Sequence, residues 1–202
     1  MAEAPGAVVV AGGRGRRFGS DKAAALFLGR PMLAVVLDAL SKSCDELVVV
    51  RAAGQALPSL PGAPEFTLVE DEYEDQGPLA GLITGFGVCQ SDLVFATSTD
   101  APLLQPLLIQ RLADLAGRHD AVVPIVGGYL QPLSALYRRQ TCLSAFEASF
   151  ARDNRRIVAA LEGLDVRTIN ETDLRTVDPG LLSFRNANTA AELEALERIA
   201  RS

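Results

Sequence analysis

Short aliphatic and β-branched runs alternate along this chain with longer amphipathic segments, a pattern that predicts βαβ units around a mostly parallel sheet. We predict strands at residues 7–11, 46–51, 65–69, 92–97, 121–125, 131–137 and 166–169. We predict helices at residues 31–40, 79–89, 106–116, 144–151, 156–161 and 189–201. The segment 131–137 lies in the less regular second half of the chain and is the candidate for one antiparallel strand. The predicted fold class is therefore α/β, with three layers in the order α/β/α.

Composition limits what such a chain can be. Its 202 residues suit a single domain, and 49% apolar residues with 5% aromatic residues predict a large aliphatic core. The net charge of −6 argues against nucleic acid as a partner. The three cysteines are far apart and form no metal or disulfide spacing, which suits a reducing, cytoplasmic setting. We expect neither a signal peptide nor a membrane span.

The segment 7–22, AVVVAGGRGRRFGSDK, carries the strongest chemical signal. The first strand stops at Ala11-Gly12-Gly13, where glycines let backbone N–H groups approach a ligand closely. Four cations follow, and they run against the overall negative charge: Arg14, Arg16, Arg17 and Lys22. The segment therefore indicates a ligand with several negative charges, for which a nucleoside triphosphate is the best candidate. The alternative is a glycine-rich turn with solvated arginines.

This loop differs from two familiar phosphate loops. A P-loop ends in Gly-Lys-Ser/Thr, whereas this segment ends in Gly19-Ser20-Asp21-Lys22. The dinucleotide fingerprint G-x-G-x-x-G fails because Phe18 stands where its third glycine belongs. A Rossmann dehydrogenase is therefore a distant alternative.

Two carboxylates follow predicted strands at the edge where open parallel sheets bind ligands. Asp100 comes after the strand at 92–97, and a carboxylate there suits Mg²⁺; its other possible role is to cap the turn before Pro102. Asp71 ends the third strand and could accept a hydrogen bond from a ribose hydroxyl or a base amino group. Gly77 and Gly81 flank the next helix start, where ligand approach and tight helix packing are equally open explanations.

Five segments resemble one known family, the molybdenum cofactor guanylyltransferases. AGGRGRRFGSDK is similar to its A-G-G-x-x-x-R-M-G-x-D-K loop, and EDEYEDQGPLAG and TDAPLL are similar to its D-x(5)-G-P-L-A-G and C-D-x-P segments. QPLSALY and NANTAAEL resemble two later segments, the last a form of N-x-N-T-P-x-[ED]-L. The matches run in order from residue 8 to residue 196. The glycine loop alone identifies only nucleotidyltransferases in general, and the combination with GPLAG and NANT is more specific.

The resemblance implies a Rossmann-like nucleotidyltransferase sheet of the glycosyltransferase-A type and a known reaction. GMP is transferred from GTP to the terminal phosphate of molybdopterin, with release of pyrophosphate. The resemblance also implies contacts with the molybdenum-inserting protein and with apo-molybdoenzymes. We expect the nucleotide-binding half to span about residues 1–118 and the acceptor-binding half about residues 119–202.

We assign candidate roles to individual residues. The expected nucleotide-binding residues are Ala11, Gly12, Gly13, Arg14, Lys22, Asp71, Gly77 and Asp100. The expected catalytic residues are Asp100, which would hold Mg²⁺, together with Lys22 and Arg17, which would hold the leaving pyrophosphate. On the acceptor side, the resemblance implies Asn186 and Asn188, and the basic pair Arg155 and Arg156.

The chain departs from the family pattern after its second strand, where the family often has an asparagine that helps bind the nucleotide. Residues 51–54 are Arg-Ala-Ala-Gly, so base recognition there must use backbone groups or the preferred base differs. The alternatives are therefore CMP transfer to the same acceptor and GMP transfer to a small phosphorylated acid. A non-catalytic nucleotide-binding protein is the alternative from another class.

Overall fold

The computed structural model describes residues 4–12, 25–73 and 76–201. The strands in these ranges are β1 (Gly6–Val10), β2 (Leu26–Phe27), β3 (Arg30–Pro31), β4 (Glu46–Arg51), β5 (Thr67–Glu70), β6 (Leu93–Ser98), β7 (Ala121–Val126), β8 (Tyr129–Leu130), β9 (Ser134–Arg138) and β10 (Val166–Ile169). The helices are α1 (Met32–Leu40), α2 (Pro78–Val88), α3 (Pro106–Ala116), α4 (Arg139–Ala151), α5 (Ile157–Ala160), α6 (Glu171–Leu174) and α7 (Ala190–Ala200). A short 3-10 helix spans Leu182–Phe184.

The main sheet has the strand order β10-β7-β9-β6-β1-β4-β5, with β8 paired to β7. Its long strands run parallel to their neighbours except β9, which is antiparallel to both β6 and β7. The predicted antiparallel strand is therefore confirmed, although it begins at Ser134. The two-residue strand β8 adds a hairpin on β7, and β2 pairs with β3 in a separate small hairpin.

Helices cover both faces of the sheet, which confirms the predicted three layers. One face packs on α1, α3 and α6, and the other packs on α2, α4 and α5. Because strand residues alternate between faces, Val9 lies in the first core and Val8 and Val10 lie in the second. The three cysteines are buried, and the two deepest cores are mainly aliphatic.

Helix α2 packs closely against the sheet at its glycines. A Cβ added at Gly85 would lie 2.4 Å from Val8 Cγ1, and one at Gly81 would lie 3.0 Å from Val10 Cγ1. The final helix begins with a capping interaction, in which Thr189 Oγ1 accepts a hydrogen bond from the Glu192 N–H. Within the described ranges, no helix is both long and apolar enough to cross a bilayer.

Candidate functional site

The carboxyl ends of β1, β4, β5 and β6 form the edge where the site is predicted. Val10 pairs with Val50 on one side and with Ser98 on the other, so the chain leaves the neighbouring strands at similar heights. The Asp71 N–H donates to the Arg51 carbonyl at 2.7 Å, which brings the end of β5 to the same edge. Three predicted segments therefore meet there: Ala11-Gly12, Asp71 and the Asp100 turn.

The first of these segments is held against β4 by its backbone. The N–H groups of Ala11 and Gly12 both donate to the Val50 carbonyl, at 2.8 and 3.2 Å. A Cβ at Gly12 would lie 3.0 Å from the Ala52 nitrogen, so the close approach of two backbones favours glycine. The predicted residues Gly13, Arg14, Arg17 and Lys22 lie outside the described residues, and their roles stay predictions.

A side-chain amide that sequence reasoning missed also lies at this edge. Gln55 Nε2 donates to the Ala11 carbonyl at 3.3 Å, and Gln55 Oε1 accepts from the Ala52 N–H at 2.9 Å. Arg51 Nη1 donates to the Gln55 carbonyl at 2.9 Å. Gln55 thereby fixes the end of β1 relative to the turn after β4. A search for any amide in that turn, rather than for asparagine alone, would have found it.

Asp71 is a partly buried carboxylate. Its Oδ1 accepts from the Tyr73 N–H at 3.0 Å and from Thr84 Oγ1 at 3.4 Å. Burial raises the pKa of the Asp71 carboxyl above its ordinary value, and these hydrogen bonds offset the effect only in part. Its Oδ2 lies 3.7 Å from the position of a Cβ on Gly81, at the start of α2. Across the described ranges this oxygen accepts no hydrogen bond.

Asp100 follows β6 in a turn that reaches the opposite half of the molecule. Ser98 Oγ donates a short hydrogen bond to Asp100 Oδ1. The Asp100 carbonyl accepts from the Ala187 N–H at 2.8 Å, and Ala187 is fully buried. Through this contact, Asn186 and Asn188 lie next to the Asp100 turn.

The donor set at Asp100 fits Mg²⁺. This ion usually binds through one or two carboxylates together with substrate phosphates, and one carboxylate at the sheet edge suits that mode. Of the residues that the structure describes, no group of three or more His, Cys, Asp and Glu side chains is placed to hold a metal ion.

Gly77 and Gly81, at the start of α2, serve different needs. Gly81 lies against Val10, so packing explains it. Gly77 has a backbone φ of 83°, which residues other than glycine rarely adopt. A Cβ at this position would meet open space. In the part of the chain that the structure describes, no side chain caps α2, and Pro78 occupies its first turn.

A cleft of about 440 Å³ lies between the start of α2, β9 and α5. It brings together three of the predicted acceptor residues, Arg155, Arg156 and Asn186. Its lining is mixed: Pro78, Pro132, Leu133, Ile157, Val158 and Phe184 are apolar, and Gln131 and Ser134 add polar groups to those of the arginines and Asn186. Asn188, the fourth predicted residue, donates its backbone N–H to Glu192 Oε2 at 2.7 Å.

The two arginines of the basic pair have different surroundings. Arg155 is engaged with Gln76, Phe150 and Asp153. Arg156 is exposed, and its guanidinium has no hydrogen bond or ion pair within residues 4–12, 25–73 and 76–201. The cleft thus combines apolar surfaces, polar side chains and an available cation, a combination suited to a flat organic group that carries a phosphate.

Comparison with known proteins decides the family. The family model described as the MobA-like NTP transferase domain matches residues 7–166. The chain belongs to the MobA-like NTP transferase family. Two independent kinds of relative agree with this assignment.

One relative within the family is the molybdenum cofactor guanylyltransferase of Desulfosudis oleivorans. It is 35% identical over 192 residues, which cover 94% of this chain and 93% of the relative. Among solved structures, molybdopterin-guanine dinucleotide biosynthesis protein A from Archaeoglobus fulgidus matches with a TM-score of 0.79 and 26% identity, over 96% of this chain and 98% of that chain.

The same architecture extends beyond the family. The 2-C-methyl-D-erythritol 4-phosphate cytidylyltransferase of Thermus thermophilus matches with a TM-score of 0.74 and 18% identity, over 99% of this chain and 100% of that chain. At this identity the likeness concerns the fold alone. Together, these matches confirm the predicted nucleotidyltransferase fold.

Proposed function

We propose that this chain transfers GMP from GTP to the terminal phosphate of molybdopterin and releases pyrophosphate. The observation that carries the proposal is its 35% identity, over 94% of its length, to a protein named molybdenum cofactor guanylyltransferase. The placement of the Asp100 turn next to a cleft that has apolar surfaces and an available arginine supports the same reaction.

The reaction needs no nucleophilic side chain. A phosphate oxygen of molybdopterin forms a bond to the α-phosphorus of GTP, and the bond from that phosphorus to the pyrophosphate oxygen breaks. Because two anions must meet, the protein has to neutralise charge and align the reactants. Mg²⁺, when bound, would supply charge neutralisation at the nucleotide phosphates.

Each predicted residue except Arg155, whose guanidinium is engaged within the protein, has a part in this proposal. Asp100 would hold Mg²⁺, with its carboxylate oriented by Ser98. Lys22, Arg14 and Arg17 would hold the leaving pyrophosphate, and each such charge-assisted hydrogen bond contributes on the order of 1.5–3 kcal/mol. Ala11, Gly12 and Gly13 would line the phosphate site; because the Ala11 and Gly12 N–H groups already donate to the Val50 carbonyl, backbone donation to the phosphates would begin at Gly13.

The remaining residues would select the two substrates. Asp71, with one oxygen facing the start of α2, would contact the nucleoside, and Gly77 would let the chain approach it closely. Asn186, Asn188 and Arg156 would contact molybdopterin in and beside the cleft. The nucleotide half would then span about residues 1–118 and the acceptor half about residues 119–202.

The cellular setting belongs to the same proposal. Cys44, Cys89 and Cys142 are free and buried, which suits a reducing cytoplasm. There the product would pass to the molybdenum-inserting protein and to apo-molybdoenzymes.

CMP transfer to the same acceptor is the second candidate. It is favoured by the turn after β4, which lacks asparagine and in which the Gln55 amide already bonds to Ala11 and Ala52. The backbone of that turn would then read the base.

The decisive experiment gives the purified chain molybdopterin and Mg²⁺ with either GTP or CTP. We expect pyrophosphate release and a guanine dinucleotide product, identified by mass, with GTP. Product from CTP alone would replace the proposal with the second candidate. Nucleotide binding without pyrophosphate release would leave only a binding protein.

A matched pair of lysine variants tests the phosphate loop. We expect Lys22→Ala to lower turnover at least about tenfold, because one charge-assisted contact is lost. Lys42→Ala removes an exposed lysine after α1, away from the site, and should leave turnover unchanged. A change below about twofold for Lys22→Ala would place the phosphate site elsewhere.

A further inference from the structure

One arginine joins the predicted nucleotide side of the molecule to the acceptor cleft. Arg155 lines the cleft, yet its Nε donates to Gln76 Oε1 at 2.9 Å. Gln76 directly precedes Gly77 and α2, in the connection that begins at Asp71. The sequence separation between Gln76 and Arg155 is 79 residues.

The other two nitrogens of Arg155 bond to residues at the end of α4 and just after it. Nη1 donates to the Phe150 carbonyl at 2.5 Å, and Nη2 pairs with Asp153 Oδ1 at 2.8 Å. Its guanidinium carbon lies 3.7 Å from the centroid of the Phe150 ring, in cation–π geometry. Four separate contacts therefore define the place of one side chain that is only 30% exposed.

Phe150 carries the same link to the other end of the β5–α2 connection. Its ring centroid lies 4.5 Å from that of Tyr73. The Tyr73 N–H donates to Asp71 Oδ1 at 3.0 Å. We call Tyr73, Gln76, Phe150 and Arg155 the Arg155 bridge. Through Gln76, Arg155 contacts the β5–α2 connection beside Gly77, and through Tyr73, Phe150 contacts it beside Asp71.

We propose that Arg155 is a positioning residue, which holds Asp71 and Gly77 in place for the nucleotide from the wall of the acceptor cleft. The proposal rests on the proposed function only where it names GTP and molybdopterin as the two ligands. It assigns the two neighbouring arginines different tasks, because the guanidinium of Arg155 is used within the protein and that of Arg156 is available to a ligand.

Lysine cannot replace arginine in this task. Arg155 donates in three directions from one planar group, whereas an ammonium is a compact charge on a flexible stem. An arginine that only supplied charge to an acceptor phosphate would be replaced in part by lysine.

The test compares Arg155→Ala, Arg155→Lys, Gln76→Ala and Arg156→Ala. GTP binding is measured by calorimetry without acceptor, and KM for molybdopterin is measured by pyrophosphate release. We expect both Arg155 variants and Gln76→Ala to raise the Kd for GTP about fivefold or more. We expect Arg156→Ala to leave that Kd within about twofold and to raise KM for molybdopterin about tenfold. Arg152→Ala removes an exposed arginine of the same loop and should change neither.

Combining the variants separates the bridge from general destabilisation. The double variant Gln76→Ala/Arg155→Ala should bind GTP no more weakly than Arg155→Ala alone, because both substitutions remove the same contact between Gln76 and Arg155. Wild-type GTP affinity in Arg155→Lys, or a change confined to KM for molybdopterin in Arg155→Ala, would overturn the proposal. If Arg155→Ala fails to fold, Gln76→Ala decides, and unchanged GTP affinity in that variant overturns the proposal.

A ligand-free measurement keeps this inference separate from the proposed function. Hydrogen exchange on the free protein should show lost protection at the Asp71 and Tyr73 amides in Arg155→Ala and not in Arg156→Ala. If the protein proves to use CTP, the proposed function fails, and the same Kd comparison is made with CTP. Equal protection in all variants would overturn the bridge whatever the nucleotide.

Discussion

Glu46 and Asp71 are carboxylates at opposite ends of neighbouring parallel strands. Glu46 lies where β4 begins, at the amino edge of the sheet, and Asp71 lies where β5 ends, at the carboxyl edge. Glu46 begins β4, and it accepts hydrogen bonds from the Gln90 and Ser91 N–H groups, from Ser91 Oγ and from Cys89 Sγ. Burial acts to raise the pKa of Glu46, but these hydrogen bonds outweigh it and hold the pKa below its ordinary value. Asp71 follows β5, and there burial outweighs two hydrogen bonds and raises the pKa.

The difference separates stability from function. Glu46 closes the connection between α2 and β6, and its ionised form is favoured by the fold. Asp71 is held in a form that the fold disfavours, with one oxygen facing the start of α2. Carboxyl groups whose pKa is raised by burial are common at functional sites, where a bound ligand supplies the hydrogen bonds or charges that the protein does not. Asp71 therefore keeps one carboxylate oxygen without a hydrogen bond from the described residues, whereas Glu46 is satisfied within the fold.

The largest expected effect tests whether the carboxyl edge is the site of catalysis. We predict that Asp100→Ala lowers the turnover of nucleotidyl transfer about a thousandfold, equivalent to roughly 4 kcal/mol, because the proposed metal ligand is lost. Pyrophosphate release with saturating GTP and Mg²⁺ measures it. Asp45→Asn alters an exposed carboxylate at the amino edge and should retain wild-type turnover. Near-normal turnover in Asp100→Ala, with folding verified by circular dichroism, would remove Asp100 from the metal site.

The second effect tests the amino edge. We predict that Glu46→Ala lowers the free energy of unfolding by roughly 1–3 kcal/mol, because it leaves buried or half-buried donors at Cys89 and Ser91 without their acceptor. Urea unfolding measures the loss. Turnover of the folded variant should stay near that of the wild type, and a large loss of turnover without loss of stability would contradict the separation of the two edges.

Acid should weaken this second effect. Because the pKa of folded Glu46 lies below its ordinary value of 4.5, its contribution to stability is complete above that value and is lost as pH falls through the folded pKa. We predict that the stability difference between wild type and Glu46→Gln shrinks steadily below about pH 4.5. Urea unfolding from pH 7 to pH 3 measures it, and a difference that does not depend on pH would show that the charge is not involved.

Elements with strong local signals were predicted closely from the sequence. β4, β10 and α3 have the predicted bounds, since an aliphatic run, a short run rich in β-branched residues and a proline at the helix start define them locally. α4 begins at Arg139 rather than at 144, because arginines in a first turn oppose the helix dipole and give no start signal. Two-residue strands such as β2 and β8 were not predicted, since a period of two cannot show in so short a run.

The candidate site divides in the same way. The positions of Asp71 and Asp100 follow from strand ends, so the sequence places them at one edge without a structure. The contact between Asp100 and Ala187, and that between Gln76 and Arg155, join residues far apart in sequence. No local pattern encodes such a pairing. The sequence could therefore name Arg155 and Arg156 as a pair but could not assign them different tasks.

The smallest effect sharpens the comparison, because it has the opposite sign to that at Glu46. We predict that Asp71→Asn raises the free energy of unfolding at pH 7 by less than about 1 kcal/mol, since the half-buried charge is partly screened by water. The asparagine oxygen can still accept from Tyr73 and Thr84, so only the disfavoured charge is removed. The pKa of folded Asp71 is raised above its ordinary value of 3.8, so the gain should be complete above the folded pKa and vanish as pH falls below 3.8. Urea unfolding measures the gain, and calorimetry should show weaker GTP binding in the same variant.

A variant that is less stable than the wild type at pH 7 would show that the Asp71 carboxylate stabilises the fold, as Glu46 does. The two edges of the sheet would then not differ in this way.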